Sequence, residues 1–199
     1  MFRTALVFLS FTLAGTAIGG EYNDVLKVGD AAPAWNNLPG VDGRPHSLVD
    51  LKDKKVVVVV FTCNSCPAAR DYEDRIIELA KSSDEVAVVA INVNRIPDDS
   101  IEKMTERAKL KSFPYPYLFD ETQQTAKQYG ANFTPEFFVL DAERKVVYMG
   151  SMDDNSDPKL AKQLYLRDAV AATLAGNKPE VAETLARGCR VRYARVSRK

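Results

Sequence analysis

One histidine, three cysteines and no net charge in 199 residues leave several functions without their raw materials. With 27 basic residues against 27 acidic ones, the chain lacks the basic excess on which nucleic-acid binding rests. A zinc ribbon needs four donors; beside Cys63 and Cys66 the sequence offers only Cys189 and His46. Neither a metal nor an organic cofactor is therefore expected, and His46, in a turn-rich stretch, reads as a surface residue. The two-residue gap between Cys63 and Cys66 is also too short to staple distant loops, so a structural disulfide scaffold is disfavoured. There is no internal repeat, no low-complexity linker and no sign of a second domain.

The apolar run from Ala5 to Ala14, preceded by Arg3 and followed by the small residues Ala17, Gly19 and Gly20, reads as a secretory signal over residues 1–20. It falls short of the ~20 apolar residues that span a bilayer, so membrane contact is expected only if the segment stays uncleaved. Residues 21–199 would form one exported, periplasmic or extracytoplasmic domain with a basic C-terminal tail.

Strands and helices alternate through that domain. "VDGR" can turn a small hairpin. Lys55 to Phe61 is a run of β-branched residues that suits a strand buried on both faces. Pro67 to Lys81 has helical spacing, with Tyr72, Ile76, Ile77 and Leu79 near one face, and residues 85–94 read as a second buried strand. A helix follows, with Asp98, Asp99 or Ser100 as its cap. "YPYLFD" is a short strand, "ETQQTAKQYG" a short helix closed by Gly130, and residues 136–150 a hairpin turning at Asp141 to Lys145. A last helix is expected from Pro158 to Leu174. This order predicts an α/β fold: a three-layer sandwich with a mixed central sheet and helices on both faces, as in thioredoxin-like proteins.

Cys63 and Cys66 fall where the first strong strand gives way to a helix. A thiolate there is favoured by free backbone N–H groups, so Cys63 is expected at the helix N-terminus as the attacking sulfur. Cys66, one turn on, is expected to resolve the mixed disulfide. Asp153, Asp154 and Asp157 read as turn and cap residues rather than a calcium site. Arg70 and Arg75, among Asp71, Glu73 and Asp74, read as a solvated helix face, and "FPYPYLF" as core with a tight connection. Cys189, among Arg187, Arg190, Arg192 and Arg195, is expected to favour its thiolate; it reads equally as a third redox cysteine or as an unpaired thiol in the tail.

"VGDAAPAW", "DGRPHSLVDLKDKKVVVVVFTCNSCP" and "NFTPEFFVL" together resemble the thioredoxin superfamily, in its exported redoxin branch related to alkyl hydroperoxide reductases and thiol-specific antioxidant proteins. The continuation into "YEDR", with "SMDDNSDP", "LAGNKP" and "RGCRVRYAR", is most similar to a peroxiredoxin-like group with a CNxCP motif. The resemblance implies that Cys63 and Cys66 are the active pair and that Thr134-Pro135 is a cis-proline loop beside them, its Thr134 backbone free to pair with an extended substrate. It implies protein thiols or disulfides and a redox partner protein as partners. Three departures stand out. Val60 and Val56 replace the Thr or Ser and the Pro that precede a peroxidatic cysteine, which counts against peroxidase activity. Thr62 and Ala69 replace the Trp and the acid that flank the pair in many exported reductases, and the strand lacks the buried acid that thioredoxins use to move protons. The expected activity is thiol-disulfide exchange, with thiol peroxidase or a non-enzymatic metal-binding or structural-disulfide module as rivals.

Overall fold

The computed structural model describes residues 19–194. The signal reading, save for its last two residues, and Arg195 lie outside them. Strands β1 (Leu38–Pro39) and β2 (Pro45–His46) form the small "VDGR" hairpin. They lead to β3 (Val56–Phe61), α1 (Pro67–Asp71), α2 (Glu73–Ala80), β4 (Val86–Asn92), α3 (Ile101–Lys111) and β5 (Tyr117–Phe119). The chain continues through α4 (Gln124–Tyr129), β6 (Phe133–Thr134), β7 (Glu136–Leu140), β8 (Val146–Gly150), α5 (Tyr165–Leu174) and β9 (Cys189–Arg190).

The central sheet has the order β5-β4-β3-β7-β8. β3 lies in its middle, parallel to β4 and antiparallel to β7. Every residue of β3 is fully buried, and its side chains divide by the period of two that a strand imposes. Val57, Val59 and Phe61 pack towards Ala126 and Tyr129 of α4 and the N-terminal Trp35. Val56, Val58 and Val60 pack towards Ile76 of α2, Met104 of α3 and Leu166 and Val170 of α5. At about 1.5–3 kcal/mol per fully buried Val or Phe, this one strand contributes on the order of 10–20 kcal/mol of apolar burial. The mixed sheet with helices on both faces is the thioredoxin-like α/β architecture expected.

Two helices differ from expectation. The helix after the cysteines is interrupted at Tyr72, whose hydroxyl donates to Asp153 (3.0 Å) and whose ring packs on Phe137. The last helix begins at Tyr165, not Pro158. Asp154 explains the delay, because its carboxylate accepts the N–H groups of Lys162 (2.8 Å) and Gln163 (3.1 Å) and holds the approach as a loop.

The helix face expected to be solvated is so at Arg70, Asp71 and Asp74, while Arg75 and Glu73 are built into the protein. Arg75 pairs with Asp153, whose side chain is 1% exposed, and Arg107 reaches Glu73 through two hydrogen bonds. Asp153 is thus a buried ion-pair member rather than a turn residue. Asp157 does serve its turn, accepting the N–H of Lys159. Phe113 stacks on Tyr115 and meets Tyr117 edge-on, as core with a tight connection should. His46 is held by Asp42 at 3.0 Å in the small hairpin.

Candidate active site

β3 ends at Phe61, and the five residues Thr62 to Cys66 carry the chain to α1. The helix N-cap is Cys66, not Cys63: its backbone is extended (φ −89°, ψ 115°) and its Sγ accepts the N–H of Ala69 at 3.3 Å. Pro67 follows at the first helical position, where a missing N–H costs nothing. The expectation that Cys63 takes the helix N-terminus is therefore corrected, because Pro67 shifts the helix start past it.

Both thiols are buried, Cys63 at 3% and Cys66 at 1% exposure. Above them lies the cis Thr134-Pro135 peptide. Cys63 Sγ sits 3.6 Å from both Ser65 Oγ and Thr134 Oγ1, and the Cys66 thiol donates to the Thr134 carbonyl at 3.1 Å. A hydrogen bond from Cys63 holds Cys66 below the ordinary thiol range against the effect of burial, with further help from Cys189, Thr134 and the Ala69 N–H. Cys63 is pushed up by that same bond, by burial and by the nearby Asp99 carboxylate.

Several site residues carry no motif. Asp99, a candidate cap in sequence, leaves that role to Ser100 and is wholly buried. It accepts from the Ser65 N–H (2.9 Å), the Ser65 hydroxyl (2.7 Å) and Asn94 Nδ2 (3.0 Å), while its own carbonyl accepts from Asn92. Tyr117 donates to Asn64 at 3.1 Å. The only trace of this network in the sequence is "INVN", where two asparagines end an apolar strand and buried amides need partners.

Glu136, directly after Pro135, is a further buried acid beside the site. It accepts the N–H groups of Asn132 (2.7 Å) and Phe133 (2.9 Å), so it braces the loop that carries Thr134. Burial pushes its pKa up from 4.5 to about 7, with the two N–H groups pulling the other way. A raised carboxyl pKa means that the native state resists ionisation. Stability is then full below the unfolded value and falls as pH rises through the interval to about 7. Glu136→Gln is expected to remove that loss, gaining about 3 kcal/mol on wild type between acid and alkaline pH. Urea unfolding of both proteins across that range checks it; parallel pH profiles would rule it out.

Cys189 is placed where the tail resembles a strand rather than a loose end. β9 pairs antiparallel with β6, with Thr134 opposite Cys189 and Phe133 opposite Arg190. Beyond it the Val191 N–H donates to the Asn132 carbonyl (2.9 Å), the Arg192 N–H to Asn94 (2.8 Å) and the Ala194 N–H to Gln123 (2.8 Å). The Thr134 backbone is therefore not free for a substrate, as the resemblance implied; the chain's own tail occupies that edge. Nor is Cys189 acidified by its arginines. Burial and the adjacent Cys66, through a hydrogen bond and its charge, push it up to about 11, and Arg192 offsets little of this. Among the described residues no group of three His, Cys, Asp or Glu side chains could hold a metal ion.

The profile of the Redoxin family matches residues 27–164. The Peroxiredoxin Bcp of Escherichia coli (strain K12) is 26% identical over 136 residues, spanning 62% of this chain and 85% of that protein. Among solved structures, an uncharacterized conserved protein from Geobacillus kaustophilus superposes with a TM-score of 0.81 at 32% identity, covering 88% of this chain and 96% of the other. Peroxidoxin BcpB from Mycobacterium tuberculosis gives a TM-score of 0.58 at 25% identity over 75% of this chain and 96% of that one.

Proposed function

Because the chain belongs to the Redoxin family, and so is a thiol-based oxidoreductase, we propose that it exchanges disulfides with protein substrates through Cys63 and Cys66. The observation that carries this reading is the buried Cys63-Cys66 pair at the strand-to-helix junction, with Thr134 of the adjoining loop touching both sulfurs. Cys63 attacks a substrate disulfide while its proton passes to Cys66. One substrate sulfur leaves as thiolate and takes that proton from Cys66, whose ordinary affinity for it is lower. Cys66 then attacks the mixed disulfide on Cys63, closing a Cys63-Cys66 disulfide and releasing the second substrate sulfur. Two electrons pass to the substrate, and no cofactor takes part. Thr134, which touches both sulfurs, orients the pair. The signal-like character of residues 1–20 supports export to a compartment where protein disulfides persist; mature protein recovered from cells should begin near Glu21, and an intact Met1 end would count against export.

Thiol peroxidase is the second reading, favoured by the likeness to a peroxiredoxin. There the Cys63 thiolate would take one peroxide oxygen as sulfenic acid, which Cys66 would condense to the same disulfide with loss of water. Equilibration in glutathione buffers with mass mapping decides whether the pair works as proposed. A reversible Cys63-Cys66 couple between about −120 and −270 mV is expected. Rapid stoichiometric consumption of peroxide, with negligible reduction of a protein disulfide, would instead select the peroxidase.

A further inference from the structure

Cys66 lies beneath the residue that β9 faces: its thiol donates to the Thr134 carbonyl at 3.1 Å, and Thr134 stands opposite Cys189. The three cysteines form one small cluster with Ala68 and Ala69. β9 lies along the edge that an extended substrate segment would need, and it sets Cys189 opposite Thr134, whose hydroxyl reaches the Cys189 carbonyl at 3.4 Å. Gly188 permits this approach: a Cβ there would meet the Thr134 carbonyl oxygen at 2.0 Å. Cys189 is partly exposed, whereas Cys63 and Cys66 are buried. The tail thus presents a cysteine to the site in the manner of a bound substrate.

We propose that Cys189 is a second resolving cysteine, and that Cys66 is the sulfur common to two successive disulfides. The step rests on the exchange reading above, which supplies the Cys63-Cys66 disulfide. The Cys189 thiolate attacks Cys66, the Cys63-Cys66 bond breaks, a Cys66-Cys189 bond forms, and the proton lost by Cys189 is taken up by Cys63. No electrons enter or leave. Reduction then comes from a protein dithiol that attacks the accessible Cys189 sulfur. Cys66 leaves as thiolate, and the partner's second thiol closes its own disulfide and frees Cys189. A low-pKa thiol leaves fastest, so Cys66 suits this role.

The test is disulfide mapping of the purified protein after equilibration in glutathione buffers, with rapid alkylation. Wild type is expected to hold both disulfides in a ratio that stays constant across potentials, because their interconversion is electron-neutral. Cys63→Ser is expected to form Cys66-Cys189 alone, and Cys66→Ser neither pair. Gly188→Ala is expected to lower the Cys66-Cys189 share at least about tenfold while Cys63-Cys66 still closes. A folded Cys63→Ser protein carrying only glutathione adducts on Cys66 or Cys189 overturns the proposal. If that variant does not fold, a wild type with no Cys66-Cys189 disulfide at any potential overturns it. The Cys66-Cys189 bridge present without turnover of a protein disulfide would support Cys189 in this place and sink the exchange reading instead.

Discussion

Cys66→Ser is expected to abolish turnover of a protein disulfide and to leave substrate stranded on Cys63 as a mixed disulfide. Two losses combine in that one change. The sulfur that closes the Cys63-Cys66 disulfide is gone, so release cannot occur. The proton acceptor beside Cys63 is gone as well, and removing a positioned base costs on the order of 10²–10⁴ in rate, so the first attack slows as well. Cys63 is already held above the ordinary thiol range by burial and Asp99. Its attack in the variant should therefore rise with pH as Cys63 itself ionises, more steeply than in wild type, where Cys66, held below the ordinary thiol range, takes the proton. Single-turnover kinetics followed by mass spectrometry read both effects. A Cys66→Ser protein that cycles at the wild-type rate would eliminate the two-cysteine mechanism, and an adduct found on Cys66 in Cys63→Ser would reverse the order of attack.

Asp153→Ala should cost about 3–5 kcal/mol of stability, because it strips the charge partner from a buried guanidinium. Arg75 is 16% exposed at its side chain, donates to Asp153 and to the Ser156 carbonyl at 2.6 Å, and lies over the Tyr72 ring at 4.1 Å. Without the carboxylate, the cation stays in a low-dielectric pocket and the Tyr72 hydroxyl loses its acceptor. Against the ~5–15 kcal/mol that holds a typical domain together, this is a large fraction, and a fall in melting temperature of roughly 10 °C should accompany it. Asp153→Asn, which keeps an acceptor for Tyr72, should cost less. Replacing both members with apolar residues of similar volume should restore much of the loss, since a buried pair contributes little over hydrophobic packing. A double-mutant cycle in urea measures the coupling; an Asp153→Ala variant within about 0.5 kcal/mol of wild type would mean that solvent reaches Arg75 freely. The pair also steadies the break at Tyr72, between the short helix that Cys66 caps and α2.

Local pattern was enough for the parts of this protein whose physics is local. The β-branched run of β3, its end at a cysteine pair, the Pro at the start of α1, the Gly130 stop and the 136–150 hairpin follow from strand period, helix capping and turn chemistry. The family pattern carried Thr134-Pro135 to the cysteines. Local pattern also misplaced the helix N-cap by three residues, because a thiol's position relative to a cap depends on where the first turn closes, and Pro67 sets that.

What only the tertiary structure decided are the contacts between residues far apart in the chain. Asp99 meets Ser65 across 34 positions, Arg75 meets Asp153 across 78, and Thr134 meets Cys189 across 55. No periodicity announces such pairs, since an acid on the surface and an acid buried among amides have the same neighbours in sequence. The arginines beside Cys189 illustrate the reason. Their number suggested an acidified thiol, but charge acts through distance and dielectric, and once β9 is laid against β6 the nearest strong influences on that sulfur are burial and the negative charge of Cys66.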